Sequence, residues 1–253
     1  MRSLKVLRVS GGVRQTVDDL VTEEITLKVY AAGRRVASML CSPADLEDLI
    51  RGFFFSLGVI ERGEEIRAVT VNRATWSAFV ELDPRLGDEV PVLAGVVGPG
   101  CGSLPPPEMR AELPPLADDD FRVPAARVGE LMRELAGVSE VHRRTGGVHG
   151  AALADAGGIR IFREDVGRHN AVDKVIGRRL QEGGGFQRCL LLSSGRVSSE
   201  VLAKAARARV PVLVSRTAPT DRSVEEARRM NLTLAGFARG ERMNLYSAPE
   251  RIS

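Results

Sequence analysis

The sequence predicts an α/β protein, α+β overall, in which a small N-terminal α+β unit precedes a larger α/β layer. Three observations predict it. Residues 20–40 alternate apolar and polar side chains, the period of half-buried strands, and run into a helical pattern. Two Pro-rich stretches, Leu104-Pro105-Pro106-Pro107 and Leu113-Pro114-Pro115-Leu116, with the acidic Asp118-Asp119-Asp120, then interrupt the chain. Beyond them, short apolar runs at 190–193, 210–215 and 232–237 alternate with amphipathic helical stretches, the rhythm of a parallel sheet. The predicted division is 1–97 for the first unit, 98–124 for a Gly/Pro-rich linker carrying Cys101, and 125–253 for the α/β domain.

Each element has a local reason. Ile25, Leu27 and Val29 alternate with Thr26 and Lys28, and Ala31-Ala32-Gly33-Arg34 is the turn of a hairpin. Ser42 is the expected cap of the next helix and Pro43 its first position; Leu46, Leu49, Ile50, Phe53 and Phe54 form its apolar face. Strands at 66–71 and 76–82 complete the first unit. In the second, Val128, Leu131, Met132 and Leu135 keep helical spacing, and strands at 151–153 and 159–162 follow. A helix through Ala171, Val172, Val175 and Ile176 runs to Gly183-Gly184-Gly185, and helices are expected at 197–207 and 223–230.

Composition narrows the function. The chain has 253 residues, is 43% hydrophobic and carries a formal charge of +3, enough for a substantial core in one or two domains. No apolar run approaches the roughly 20 residues of a membrane span, and the first twelve residues are too polar for a secretory signal, so a cytoplasmic protein is expected. Of 36 basic residues only Lys5, Lys28, Lys174 and Lys204 are lysines; an arginine excess suits planar, bidentate phosphate contacts. Aromatics are 4% and no basic run is interleaved with them, so nucleic acid is set aside. Three cysteines give neither a disulfide framework nor a zinc spacing. Cys189 reads as a buried strand residue and Cys41 as packing. Cys101, in Gly98-Pro99-Gly100-Cys101-Gly102-Ser103, is flanked by glycines that leave its sulfur unshielded, the setting a persulfide-carrying thiolate requires; the alternative is a turn cysteine with no role.

The densest chemistry lies in Glu164-Asp165-Val166-Gly167-Arg168-His169-Asn170, between an apolar strand and a helix. Unpaired N–H groups and the positive dipole end of a first turn, beside Arg168 and His169, suit a phosphate or an anionic pterin. The alternative is an N-cap by Asp165 with a solvated Arg-His pair. Ser193-Ser194-Gly195-Arg196-Val197-Ser198-Ser199 is a second candidate anion site between strand and helix, whose alternative is an N-capping serine beside an exposed Arg196; it lacks the P-loop spacing, which argues against ATP hydrolysis. In Phe237-Ala238-Arg239-Gly240-Glu241-Arg242, Gly240 permits close approach, an arginine can pair a phosphate and Glu241 can accept from a guanine edge; the alternative is a solvated basic turn. His149 is followed by Gly150 and Ala151 with no Cys-x-x-Cys anywhere, so zinc-deaminase chemistry is absent and no metal of its own is expected.

These segments, with Leu46 to Ile60, Arg144 to Leu153, Leu192 to Glu200 and Gly236 to Asn244, resemble the formate dehydrogenase accessory sulfurtransferase family, FdhD/NarQ, from end to end. The resemblance implies a cytidine-deaminase-like fold for the second domain. It implies a sulfur carrier moving sulfur from a cysteine desulfurase to the molybdenum cofactor before that cofactor enters a formate dehydrogenase apoenzyme. It also implies a homodimer and binding of the bis-guanine-dinucleotide cofactor as substrate by the block 237–242, with Arg168, His169, Asn170, Ser194, Gly195, Arg196 and His149 as further contacts. The chain departs from the family at Cys101-Gly102-Ser103-Leu104, where many members carry Cys-Gly-x-Cys-Gly. Either Cys101 matches the first cysteine and Leu104 the second, or Gly98 replaces the first; one thiol remains in both cases. The alternative function is a cofactor-binding chaperone for a molybdoenzyme that moves no sulfur.

Overall fold

A computed structural model describes residues 1–86, 90–93, 96–98, 113–118 and 120–253. The chain opens with a hairpin, β1 (Arg2–Ser10) and β2 (Val13–Val21), that forms a two-stranded sheet of its own. No strand was expected there, because the apolar residues of the arm are not gathered to bury one face: Leu4, Leu7, Val9 and Val13 are exposed. β3 (Ile25–Ala31) and β4 (Arg34–Cys41) are the expected hairpin, turning through Ala32 and Gly33 at positive φ. With β5 (Ile66–Asn72) and β6 (Ser77–Leu82) they make a four-stranded sheet in the order β4-β3-β6-β5.

α1 (Leu46–Leu57) covers this sheet, but it does not begin as expected. Its N-cap is Asp45, and Ser42 is committed elsewhere: its N–H donates to Asp165 Oδ2 at 2.9 Å and its hydroxyl accepts from Val166 N–H at 3.0 Å. A tertiary partner outcompeted the local cap. Phe53 and Phe54 are buried in the core as expected.

The second sheet has six strands in the order β12-β11-β10-β9-β7-β8. α2 (Ala125–Val138) and the short α3 (Glu140–Thr145) lead into β7 (His149–Asp155) and β8 (Gly158–Asp165), both longer than the apolar runs alone suggested. α4 (Arg168–Gln181), β9 (Leu190–Ser193), α5 (Ser199–Arg207), β10 (Val212–Ser215), α6 (Asp221–Arg229) and β11 (Thr233–Arg239) follow, with β9, β10 and β11 parallel. β12 (Arg242–Ser247) returns antiparallel to β11 along an edge that the sequence reading left unassigned.

One apolar cluster runs through both parts of the chain, from Leu27, Ile50 and Phe54 to Val172, Ile176, Leu191 and Leu213. α1 and α4 approach so closely that a Cβ on Gly52 would stand 1.8 Å from the Asp173 carbonyl oxygen, and one on Gly177 1.9 Å from that of Asp48. The described part of the linker is strapped to the end of α6 and to the C-terminal segment. Leu116 N–H donates to Met230 O at 2.8 Å, and Val123 bridges to Ile252. Among the described residues no helix is long and apolar enough to cross a membrane.

Candidate functional site

Parallel strands present their carboxyl ends, and the helix N-termini that follow, along one edge of a sheet, where ligands of such folds bind. β9, β10 and β11 end at this edge, and α5 and α6 begin there. Because β7 is antiparallel to β9, with Ala151 opposite Ser193, its start at His149 lies on the same edge. β8 runs antiparallel to β7, with His149 opposite Asp165, so its end and the start of α4 lie there too. Register alone therefore gathers the expected residues: His149, the turn 165–170, Ser194 to Arg196, and the block after Gly236.

At the centre, Gly150 N–H donates to Ser194 Oγ at 3.0 Å while Ser194 N–H donates to Gly150 O at 2.9 Å. This two-way lock holds His149 Nδ1 3.4 Å from Ser194 Oγ. A Cβ at Gly195 would stand 2.8 Å from Arg168 Cβ and 3.3 Å from His149 Nδ1, so glycine there lets the arginine and the imidazole converge. Burial, then the guanidinium of Arg168, lowers His149 below the usual imidazole range, so it is neutral and able to accept or donate. His169 is buried, and burial followed by Lys204 and Arg168 pushes it down to about 3. Its Nδ1 lies 3.7 Å from Glu200 Oε2, which is a dipolar contact with a neutral ring and not an ion pair at neutral pH. Arg196 is exposed at the mouth, and Ser198, not Ser194, caps α5.

The acids of the turn are scaffolding. Asp165 is fully buried; it accepts from Ser42 N–H, from Gly167 N–H at 2.9 Å and from Asn170 Nδ2 at 2.9 Å, and pairs with Lys174 Nζ at 2.6 Å. The N-cap of α4 is Gly167, so the capping alternative for Asp165 fails: its carboxylate turns inward to a buried lysine. Asn170 spends its amide on Asp165 and on Leu40 O, 2.9 Å away, which leaves it a brace between β4 and α4. Asp173 and Lys204 form a second buried pair, with Ser56 donating to Asp173 at 2.6 Å.

The block 237–242 lies at the far end of the edge, three strand spacings from His149, or about 14 Å. Phe237 is exposed at φ +52, in the left-handed region that disfavours a bulky residue, and its N–H donates to Thr217 O at 3.0 Å. Ala238 is buried, Arg239 Nε is fixed on Arg216 O at 3.0 Å, and Gly240, Glu241 and Arg242 are exposed in the turn to β12. The sequence reading missed the β10–α6 loop: Ser215 Oγ donates to Gly195 O at 2.7 Å, so Arg216 and Thr217 join the two clusters. A strand followed by a capped helix, the signal used for Ser194, also marks that position. Among the described residues no group of three or more His, Cys, Asp or Glu could hold a metal ion.

Cys101 and Leu104 lie outside the described residues. Gly98 is the last described position before them, and next to it Val97 N–H donates to Ser38 O at 2.7 Å and Leu40 N–H to Val97 O at 3.0 Å. Leu40 is the residue whose carbonyl accepts from Asn170. Cys41 is fully buried, and burial pushes its thiol up to about 12; Cys189 is also buried, with its thiol raised.

The profile of the FdhD/NarQ family matches residues 22–253. The chain belongs to the FdhD/NarQ family. The sulfur carrier protein FdhD of Bacillus subtilis (strain 168) is 34% identical over 250 residues, covering 98% of this chain and 95% of that protein. That of Staphylococcus aureus (strain MRSA252) is 35% identical over 245 residues, covering 96% and 92%. A crystal structure described as a formate dehydrogenase accessory protein from Desulfotalea psychrophila superposes with a TM-score of 0.84 at 32% identity, covering 100% of this chain and 99% of that one. The mixed α and β architecture is thus that of an FdhD/NarQ protein, and the family match begins at Thr22, immediately after the N-terminal hairpin.

Proposed function

We propose that this FdhD/NarQ protein is a cytoplasmic sulfur carrier that loads sulfur onto the bis-guanine-dinucleotide molybdenum cofactor before a formate dehydrogenase apoenzyme takes it up. Its relatives bear the name of sulfur carriers, and its structural neighbour is described as a formate dehydrogenase accessory protein. The observation that carries the reading is the linkage at Leu40, which hydrogen-bonds both to Val97 and to Asn170 at the start of α4. Val97 stands next to Gly98, and Cys101 follows Gly98 by three residues in the chain.

In this reading the Cys101 thiolate attacks the terminal sulfur of a persulfide on a cysteine desulfurase. A new S–S bond forms, the donor's S–S bond breaks, and the donor cysteine leaves as thiolate. For delivery, a dithiol reductant supplies the two electrons that reduce the terminal sulfur to sulfide and is itself oxidised to a disulfide; the S–S bond on Cys101 breaks, Cys101 is released as thiolate, and the sulfide becomes a ligand of the molybdenum. The two clusters, about 14 Å apart, suit an extended cargo with more than one phosphate group better than a lone anion. Arg168 and the first turns of α4 and α5 serve one part, and Phe237 with Arg239 and Arg242 another. Neutral His149 and His169 offer hydrogen bonds there without adding charge. The same reading takes the working protein to be a homodimer.

Intact-protein mass after incubation with a cysteine desulfurase and cysteine tests it. A gain of one sulfur, about 32 Da, reversed by reductant and absent from Cys101→Ala, is expected. No gain with an active desulfurase, together with full client activation by Cys101→Ala, would replace sulfur transfer by the chaperone role.

A further inference from the structure

α4 and α5 start at the site edge and finish at the opposite end of the sheet, where a cavity of about 700 Å³ opens beside the α1–β5 loop. That volume is in the range of small-molecule sites. Its apolar wall includes Phe55, Ile66, Leu180 and Phe186, and its basic wall Arg51, Arg207 and Arg209.

The three arginines have an unusual set of partners. Arg51, nine-tenths buried, donates from Nη1 to Gly63 O at 2.8 Å and Ile66 O at 3.0 Å, and its buried Nε has no hydrogen-bond partner. Arg207 donates to Phe55 O at 2.5 Å and Ile60 O at 3.3 Å, its guanidinium lying 5.2 Å from the Phe55 ring centroid. Arg209 donates to Pro114 O and, at 2.8 Å, to Pro115 O. All three bond to neutral carbonyls, and among the described residues none has a carboxylate within ion-pair distance. Arg62, on the same rim, pairs with Glu64 at 3.6 Å.

The cavity wall carries Arg51, Arg62, Arg207 and Arg209 with Glu61 and Glu64; Arg62 is taken up by Glu64 and, at 3.9 Å, by Glu65, which leaves Arg51, Arg207 and Arg209 as the cations held on carbonyls alone. Burial lowers both Arg51 and Arg207 from the usual guanidinium range, a cost that a bound anion would offset. Arg209 sits at φ +57 just past the end of α5, where glycine is the unstrained choice, so its side chain is retained against a backbone penalty.

We propose that this cavity binds a small organic anion, with an aromatic or branched apolar body against Phe55, Ile66, Leu180 and Phe186 and one carboxylate or phosphate shared among Arg51, Arg207 and Arg209. It is a second ligand site, separated from the strand-end edge by the length of the sheet. Calorimetric titration of the full chain in phosphate-free buffer tests it with phenyl phosphate, benzoate, inorganic phosphate and phenol. Phenyl phosphate or benzoate should bind at least about tenfold tighter than both inorganic phosphate and phenol, and whichever binds names the head group. Arg51→Gln and Arg209→Gly should each weaken that binding about tenfold, whereas Arg239→Ala at the other edge should leave it unchanged. Arg209→Gly suits the left-handed backbone, and an unchanged thermal midpoint of the variant separates loss of binding from loss of its hydrogen bonds to Pro114 and Pro115. Equal affinity for all four probes, no binding, or binding lost in Arg239→Ala and kept in the other two variants would overturn the assignment.

Discussion

Removing the cation of the buried Asp173–Lys204 pair by Lys204→Met should be among the most damaging single changes outside the apolar core. Both side chains are 1% exposed, and Ser56 supplies one further hydrogen bond, at 2.6 Å, to the carboxylate. The variant leaves that carboxylate in the core with only the Ser56 hydroxyl to stabilise it. Breaking such a pair on one side costs about 3–5 kcal/mol, a large part of the roughly 5–15 kcal/mol that holds a typical domain together. Replacing both partners, as in Asp173→Leu with Lys204→Met, removes the buried charge altogether and should recover most of the loss. The cycle is therefore strongly non-additive. Urea unfolding of the native chain, both single variants and the double variant supplies the four free energies. The pH dependence gives an independent check. Burial already raises Asp173 above the usual carboxylate range and Lys204 opposes that rise, so Lys204→Met lifts it further. A raised acid favours the folded state below its unfolded pKa of about 3.9 and loses that contribution as pH rises through the folded value. The deficit of Lys204→Met should accordingly shrink on acidification. A single-variant cost below about 1 kcal/mol, or a double variant as unstable as the sum of the singles, would refute the view that the pair's value lies in mutual neutralisation.

Other expectations follow from the same contacts. His169, held down at about 3 from 6.5, contributes stability that is present above the unfolded value and lost as pH falls between the two. His169→Gln should therefore flatten the acid limb of a stability-against-pH curve over that interval. Gly52→Ala or Gly177→Ala should destabilise by several kcal/mol, against the gain in helix propensity, because each new Cβ would meet a backbone oxygen at less than 2 Å; thermal melts of the soluble fraction measure it. Alkylation at pH 8 should leave Cys41 and Cys189 unmodified in the native chain and modify both in urea, since burial raises both thiols and Cys41 reaches about 12; peptide mass mapping reads this directly. Asn170→Ala should lower persulfide delivery by Cys101 more than persulfide loading, because it cuts the link from Leu40 to α4 and leaves the thiol intact; mass spectrometry of the carrier and metal-bound sulfur on the cargo separate the two steps.

Much of this protein was legible in its residues taken in order. The alternation around Ile25 to Val29 and the helical stripe from Leu46 to Phe54 each carry a period that admits one secondary structure, and the three runs that became β9, β10 and β11 are too short for helices and are separated by helical stretches. The segments rich in Arg, His and Ser between those elements fall along one edge of the sheet, because a strand followed by a helix places the intervening residues at a strand end. Burial of Cys41 and Cys189 followed from their apolar neighbours. What the linear pattern could not assign was the partner of each polar group. Ser42, Asp165 and Asn170 have the local signatures of caps and ligands, yet contacts across more than a hundred residues turn them into a brace between β4 and α4. Lys174 and Lys204, which the sequence reading counted only among the basic residues, are core residues paired with Asp165 and Asp173. The antiparallel β7, and not any local pattern, brought His149 to Ser194 and Arg168. Periodicity is a property of neighbours along the chain and survives in the sequence; pairing of buried charge and convergence of an edge are properties of distance, which only the folded chain defines.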